Sequence, residues 1–221
     1  QSLRDNYDDK LLEAYINGNF INLTQGATYY AFNRDKHTGR YNYNPRLPLH
    51  CGFDFNNFPL STVVCQRQSD GSLHVIKEIV LSHQGDGDLP TQRMCSAVKE
   101  YFPNNIYYAY PDATGSSKHS SAMYSDISII RKNGFNVQVA HINPKVVNRV
   151  NSVNNQLAKN NIKIDNSCKA LIKDFEQVVN KENTRDIDKS NPNLTHMSDA
   201  FGYLCNWLYP VTKPSIGVTD R

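Results

Sequence analysis

An α/β protein with a mixed central β-sheet flanked by α-helices is the fold class this sequence predicts, and three observations predict it. Three strand-like segments follow one another between His50 and Leu81, two of them joined by the hairpin signal Asp70-Gly71. Strand and helix patterns then alternate from Leu89 to Ala140. Helical patterns close the chain as far as Leu208. An antiparallel meander followed by β-α-β units gives a sheet of mixed direction with helices on its faces.

Residues 1–45 read as an N-terminal arm, 46–210 as the main domain and 211–221 as a C-terminal tail. In the arm, Asp8 to Ile16 predicts a short helix and Thr28 to Asn33 (TYYAFN) a short strand. That strand has no hairpin partner beside it, so it is expected to dock on the main body or on a neighbour. Arg34 to Arg46 is turn-rich and basic. The strands of the meander are His50 to Phe55, Ser61 to Gln68 and Leu73 to Leu81. From Leu89 to Tyr101 the apolar residues Met94, Val98 and Tyr101 fall at helical spacing, and Pro90 suits a helix start. Ile106 to Tyr110 is a buried-type strand that runs into Pro111-Asp112. Ser120 to Lys132 predicts a helix stopped by Asn133-Gly134, and Phe135 to Ala140 a further strand. Pro144 to Leu157 predicts a helix capped by Asn143, with Val146, Val150 and Val153 as its apolar stripe. Helices over Ser167–Asn180 and His196–Leu208 complete the body.

Composition narrows the class. With 39% hydrophobic and 20% charged residues the chain resembles a folded soluble protein, not a disordered one. No apolar run reaches the roughly 18 residues of a membrane span. The five cysteines are scattered and form no CxxC, which indicates neither a zinc site nor a disulfide framework. Two Asn-x-Thr sequons, at Asn22 and Asn193, are the only pointers to secretion, and the expectation is a reducing, intracellular protein. A net charge of +3 permits a polyanionic partner without demanding one, so any nucleic-acid reading rests on the site.

Three acids stand out by position. Asp54 lies within the first strand among Cys51, Gly52, Phe53 and Phe55, where a carboxylate costs several kcal/mol to bury unless a cation or hydrogen bonds compensate it. Asp112 follows the strand IYYAY, at the carboxyl edge where α/β sheets carry their sites. Asp199 opens the last helix. Each has an ordinary reading: a paired core acid, a turn residue, a helix-dipole partner. If the first strand is central and the strand ending at Asp112 lies beside it, the last helix brings the third acid to the same edge. Three such carboxylates raise one another's pKa unless divalent metal binds, and all-oxygen ligation suits Mg²⁺ or Mn²⁺. Two ions about 4 Å apart serve phosphodiester hydrolysis.

At these residues the sequence resembles the C-terminal nuclease domain of phage terminase large subunits. The matching blocks are Gly52-Phe53-Asp54-Phe55, Pro111-Asp112-Ala113-Thr114-Gly115 and Thr195-His196-Met197-Ser198-Asp199-Ala200-Phe201-Gly202-Tyr203. Asn143 to Asn154 and Ile164 to Glu176 also read as similar, so the resemblance spans about Leu47 to Leu208. It implies an RNase H-like fold and a two-metal endonuclease that cuts concatemeric double-stranded viral DNA during genome packaging. It further implies that Asp54, Asp112 and Asp199 bind metal; the chemistry of a two-ion site then gives Asp54 as the bridge between both ions, with Asp112 and Asp199 each completing one ion's shell. Implied partners are a packaging ATPase domain, the portal and the small terminase subunit, with no membrane, in the host-cell cytoplasm. The chain carries no GxxxxGK[ST] loop, so no ATP site is expected in it. The arm then resembles the tail of an interdomain connection.

Other residues have competing readings. Glu78 is a candidate for supporting the metal ligands, or an exposed strand residue. His196, three residues before Asp199, is a candidate for contacting a metal-bound water or the scissile phosphate, or a structural helix-entry residue. Ser116, Ser117, Lys118 and His119 follow the DATG turn and are candidates for phosphate contact. Lys145 and Arg149, one helical turn apart, either track a DNA backbone or form a solvated face. Asp186 to Lys189 reads as a loop able to gate the cleft. Two other functions stay open: a non-catalytic module docking on DNA or the portal, and another RNase H-like nuclease such as a resolvase or ribonuclease.

Overall fold

Alternation of side chains along two neighbouring strands sets the architecture. In the computed structural model, which describes residues 26–55, 59–81, 89–116, 125–182, 184 and 186–211, the meander is β2 (Leu49–Asp54), β3 (Leu60–Arg67) and β4 (Leu73–Leu81). Asp70-Gly71 turns β3 into β4 as expected. Gly71 takes φ +86°, and the Asp70 carboxylate accepts from the backbone N–H of Ser72.

The sheet has seven strands in the order β1-β7-β4-β3-β2-β5-β6, where β1 is Thr38–Gly39, β5 Tyr107–Pro111, β6 Asn136–Val137 and β7 Ile162–Asp165. β3 runs antiparallel to both its neighbours, and the remaining pairs are parallel. β2 therefore lies inside the sheet with β5 beside it, in the register Phe53↔Pro111. β1 and β7 are short and were not expected.

Among the described residues five longer helices cover the faces after α1 (Arg34–His37): α2 (Pro90–Tyr101), α3 (Asp126–Lys132), α4 (Val146–Ala158), α5 (Lys169–Gln177) and α6 (His196–Leu208). Pro90 begins α2, and Gly134 at φ +79° follows α3, matching the sequence signals. Helix α2 with α3 covers one face, whose core contains Leu49, Cys51, Phe53, Val64, Met94, Val98 and Ile130. On the other face α6 lies on β2, β3 and β5, flanked by α4 and α5, over Val63, Val75, Val153, Leu171, Phe201 and Leu204.

The segment Thr28 to Asn33 forms turns, not the expected strand. Ala27 makes a single antiparallel bridge to Val179, and Phe32 N–H donates to the Tyr29 carbonyl. Its aromatic residues plug the core: the Tyr29 ring lies 4.6 Å and the Phe32 ring 5.5 Å from that of Phe175. From Ala27 onward the expected arm thus packs as part of the body. The strand expected over Phe135–Ala140 shortens to β6, because the chain leaves the sheet after Gln138 N–H bonds the Ala109 carbonyl. Helix α5 starts two residues late because the Asp165 carboxylate holds Ser167 in a local turn. The helix expected at Asp8–Ile16 and the sequon at Asn22 lie outside the described residues. Among the described residues no helix is long and apolar enough to cross a membrane.

Candidate functional site

Successive strand residues point to opposite faces, so Leu49, Cys51 and Phe53 of β2 face α2 while His50, Gly52 and Asp54 face α6. The same parity puts Tyr108 and Tyr110 of β5, and then Asp112, on the α6 face. Parallel pairing sets the two acids side by side, with Asp112 N–H donating to the Phe53 carbonyl at 3.2 Å. Asp54 is wholly buried, and Asp112 and Asp199 are each 4% exposed.

Helix α6 brings Asp199 to this edge by a close backbone approach. A β-carbon on Gly52 would collide with the Ala200 carbonyl oxygen, so strand and helix touch with no side chain between them. Gly115 of the Asp-Ala-Thr-Gly turn serves likewise, since a β-carbon there would meet the Phe55 ring at 2.6 Å.

Asp112 is held by three donors. Thr114 N–H (2.7 Å) and the Asn143 amide (2.5 Å) bond Oδ1, and the Tyr203 hydroxyl (2.9 Å) bonds Oδ2. Burial pushes this carboxyl up, but the three donors outweigh it and hold it below its ordinary value. Asn143 also accepts from Ala113 N–H at 2.8 Å, which clamps the turn after β5. Here the sequence reading is corrected: Asn143 does not cap α4, which starts at Val146 behind Lys145.

Asp199 is bracketed by two cations, Arg149 Nη1 at 3.0 Å from Oδ1 and Lys189 Nζ at 2.7 Å from Oδ2. The Arg149 guanidinium also stacks over the Tyr203 ring at 4.1 Å. Asp199, Arg149, Tyr203 and Asp112 therefore form one continuous network. Arg149 is 6% exposed, which corrects its reading as a tracker of the DNA backbone, whereas Lys145 is exposed. A buried guanidinium facing a buried carboxylate is far cheaper than either alone.

His196 lies with Nδ1 3.5 Å from Asp54 Oδ2 and Nε2 3.1 Å from the Pro192 carbonyl. A carbonyl only accepts, so Nε2 carries hydrogen, and the ring is doubly protonated when charged. The Asp54 contact raises His196 above its ordinary value, against the opposing effect of burial. Glu78 is corrected as a metal-supporting candidate, because both its oxygens accept from Ala170 and Leu171 N–H and cap α5. Ser116 ends the short 3₁₀ turn Ala113–Ser116, and Ser117, Lys118 and His119 lie outside the described residues.

Asp174 escaped the sequence reading. It is 3% exposed, and its two oxygens accept from Thr195 N–H (3.1 Å) and Ser198 N–H (2.9 Å) at the entry to α6. Thr195 there adopts φ +78°, a left-handed conformation that is strained for a β-branched residue. Asp174 thus fixes the turn that launches His196 and Asp199. Its signal was present in the sequence: it shares the buried side of α5 with Leu171, Ile172 and Phe175.

As they stand, no three His, Cys, Asp or Glu side chains among the described residues are close enough together to hold one metal ion. The Asp199 carboxylate has both oxygens occupied by cationic side chains.

Comparison with known proteins gives one family and a set of similar folds. The family described as terminase RNase H-like domain matches residues 69–205. The large terminase of a thermophilic bacteriophage, solved in complex with ATP-γ-S, is 17% identical with a TM-score of 0.72, over 94% of this chain and 53% of that one. The P22 large terminase nuclease domain is 14% identical with a TM-score of 0.62, over 86% of this chain and 100% of that one. The large terminase nuclease of thermophilic phage G20c, solved with bound cobalt, is 11% identical with a TM-score of 0.54, over 83% and 97%. The chain spans about half the length of the large terminase solved with ATP-γ-S. None of the curated proteins matches it.

Proposed function

The chain belongs to the terminase RNase H-like domain family, and on that premise we propose that it cuts double-stranded DNA by metal-assisted phosphodiester hydrolysis during viral genome packaging. The observation that carries the reading is the side-by-side placement of Asp54 and Asp112 on parallel strands, on the face where α6 presents Asp199.

The donor set fits a hard divalent ion. All-oxygen ligation suits Mg²⁺ or Mn²⁺: Asp54 and Asp112 are the adjoining pair, and Asp199, held here by Arg149 and Lys189, would complete the set by closing on a bound ion. Two such ions, when bound, supply Lewis-acid polarisation of the phosphate and an activated water. The chain's own residues do the positioning. Asn143, Thr114 and Tyr203 orient the Asp112 carboxylate, and Asp174 anchors the first turn of α6. Arg149 holds Asp199 from behind, while Lys189, about half exposed, supplies a cation at its outer oxygen. His196 stands with Nδ1 3.5 Å from Asp54, at the acid edge that a scissile phosphate would approach. A packaging ATPase domain, the portal and the small subunit are the proposed partners, in the host-cell cytoplasm.

The test is nicking and linearisation of supercoiled plasmid with Mg²⁺, Mn²⁺ or EDTA, for the parent and for Asp54→Ala, Asp112→Ala and Asp199→Ala. Cleavage should need metal and fall to background in each folded variant. Variants that cut like the parent would sink the assignment. A parent inert with both metals on duplex, single-stranded and branched DNA would favour the non-catalytic docking module instead.

A further inference from the structure

Beside Asp112 an open groove of about 100 Å³ runs between the end of β5, the segment 138–144 and the C-terminal half of α6. Rings of Tyr110, Tyr203 and Trp207 line it, together with the amides of Gln138, Asn143 and Asn206. Two of these residues, Tyr203 and Asn143, are among the three donors that hold the Asp112 carboxylate. The groove and the acid edge therefore share a wall.

We infer that this groove receives one unstacked base of the DNA strand whose phosphate lies on the carboxylates. The inference rests on the nuclease reading and adds to it a contact with a base.

Chemistry selects the occupant. Among the described residues no charged side chain lines the groove, so it is not built for a phosphate. Aromatic faces with amide groups at hand are what a base uses, through stacking and edge hydrogen bonds. The volume is well below the ~300–1,000 Å³ of pockets that enclose a free small molecule. An opening to solvent suits a flat group carried on a strand that stays outside. Trp207 is 42% exposed and Ile142, at the rim, 77%, so apolar surface is offered where a DNA strand leaving Asp112 would run. The Trp207 ring centroid is 6.5 Å from that of the buried Tyr110, which gives the platform a rigid backing.

Removing a base from a duplex costs stacking and pairing, and the cost is least where the pair is already weakened. The domain should therefore favour DNA that is opened at the site over fully paired DNA. Trp207 is the single tryptophan of the chain, so its emission reports on this groove alone.

The experiment titrates the full chain, in EDTA to prevent cleavage, with dye-labelled duplexes that are fully paired or carry a central mismatch bubble. Label anisotropy reads binding, and tryptophan emission reads the groove. Bubbled DNA should bind more tightly and quench the emission. Trp207→Ala should weaken bubble binding by about 5- to 100-fold, the range for loss of one stacking platform, and Trp207→Phe should restore most of it. Circular dichroism of both variants identifies any that are misfolded. Binding with unchanged emission, or equal affinity for both duplexes in parent and Trp207→Ala, overturns the groove while leaving metal-dependent plasmid cleavage intact. Quenching by DNA from a parent that never cuts plasmid keeps the groove and overturns the nuclease. No binding of either duplex overturns both.

Discussion

The two faces of the sheet are made from the same strands yet differ in kind. Phe53 and Asp54 are adjacent in β2, each fully buried, and point in opposite directions. On the α2 side, Phe53 meets a dry core of Met94, Val98, Ile130 and Phe135. On the α6 side, Asp54 shares its layer with Asp112, Asp174, Arg149, Ser152 and Asn154, all buried and polar. A dry layer gains stability from every methylene it hides, whereas a buried polar layer gains only when its groups are matched. Apolar packing therefore holds the molecule together on both faces, since Val63, Val75, Phe201 and Leu204 fill the α6 side too, but only the second face also holds the acids in place.

The largest expected effect that sharpens this contrast lies on the dry face. Met94→Ala, at a fully buried position of α2, should cost about 2–5 kcal/mol in denaturant unfolding. Cleavage per folded molecule should stay near that of the parent, and a matching loss of activity would break the division between the faces. On the polar face, Asp174→Asn keeps the shape but removes the charge that two backbone N–H groups share. It should cost about 1–3 kcal/mol and lower kcat more than it raises KM, because the entry to α6 loosens. A drop in stability with kcat intact would make Asp174 a purely structural residue.

The smallest effect is a slope with pH. His50 lies on the α6 face, 2.7 Å from the Tyr110 hydroxyl, and burial with Arg67 nearby pushes its imidazole down to about 4. A depressed histidine is neutral in the fold and takes up its proton more readily in the unfolded chain. Its contribution is thus present above the ordinary histidine value of about 6.5 and is lost as pH falls toward 4. Melting temperatures measured across that window should fall less in His50→Gln than in the parent.

Legibility in the sequence followed the same division. Continuous buried strands and the Asp70-Gly71 turn made β2, β3, β4 and β5 readable, because their own residues carry the pattern. β1 and β7, two and four residues long, are too short to show a period and exist through pairing with distant chain. The Tyr-rich segment after Thr28 imitates a strand, but its rings are called into the core by Phe175. The positions of Asp54, Asp112 and Asp199 were legible as acids at element ends. What surrounds them was not: Arg149 looked solvent-facing, and Asn143 looked like a helix cap. Both were redirected by partners from other elements, Asp199 and Asp112, which local spacing cannot reveal. Asp174 was open to detection as an acid on an apolar helical stripe.

Gly52 carries a consequence for how freely this chain can change. Where β2 and α6 meet backbone to backbone, the gap between the strand bearing Asp54 and the helix bearing Asp199 is a fixed spacer made of peptide atoms. Side chains on either side set how tightly the layers are filled, but none of them sets that gap. The interior can thus be rewritten by volume-conserving exchanges over many generations while the acids keep their spacing. The tolerance ends at one position, where adding a single methyl group would push the two carriers apart.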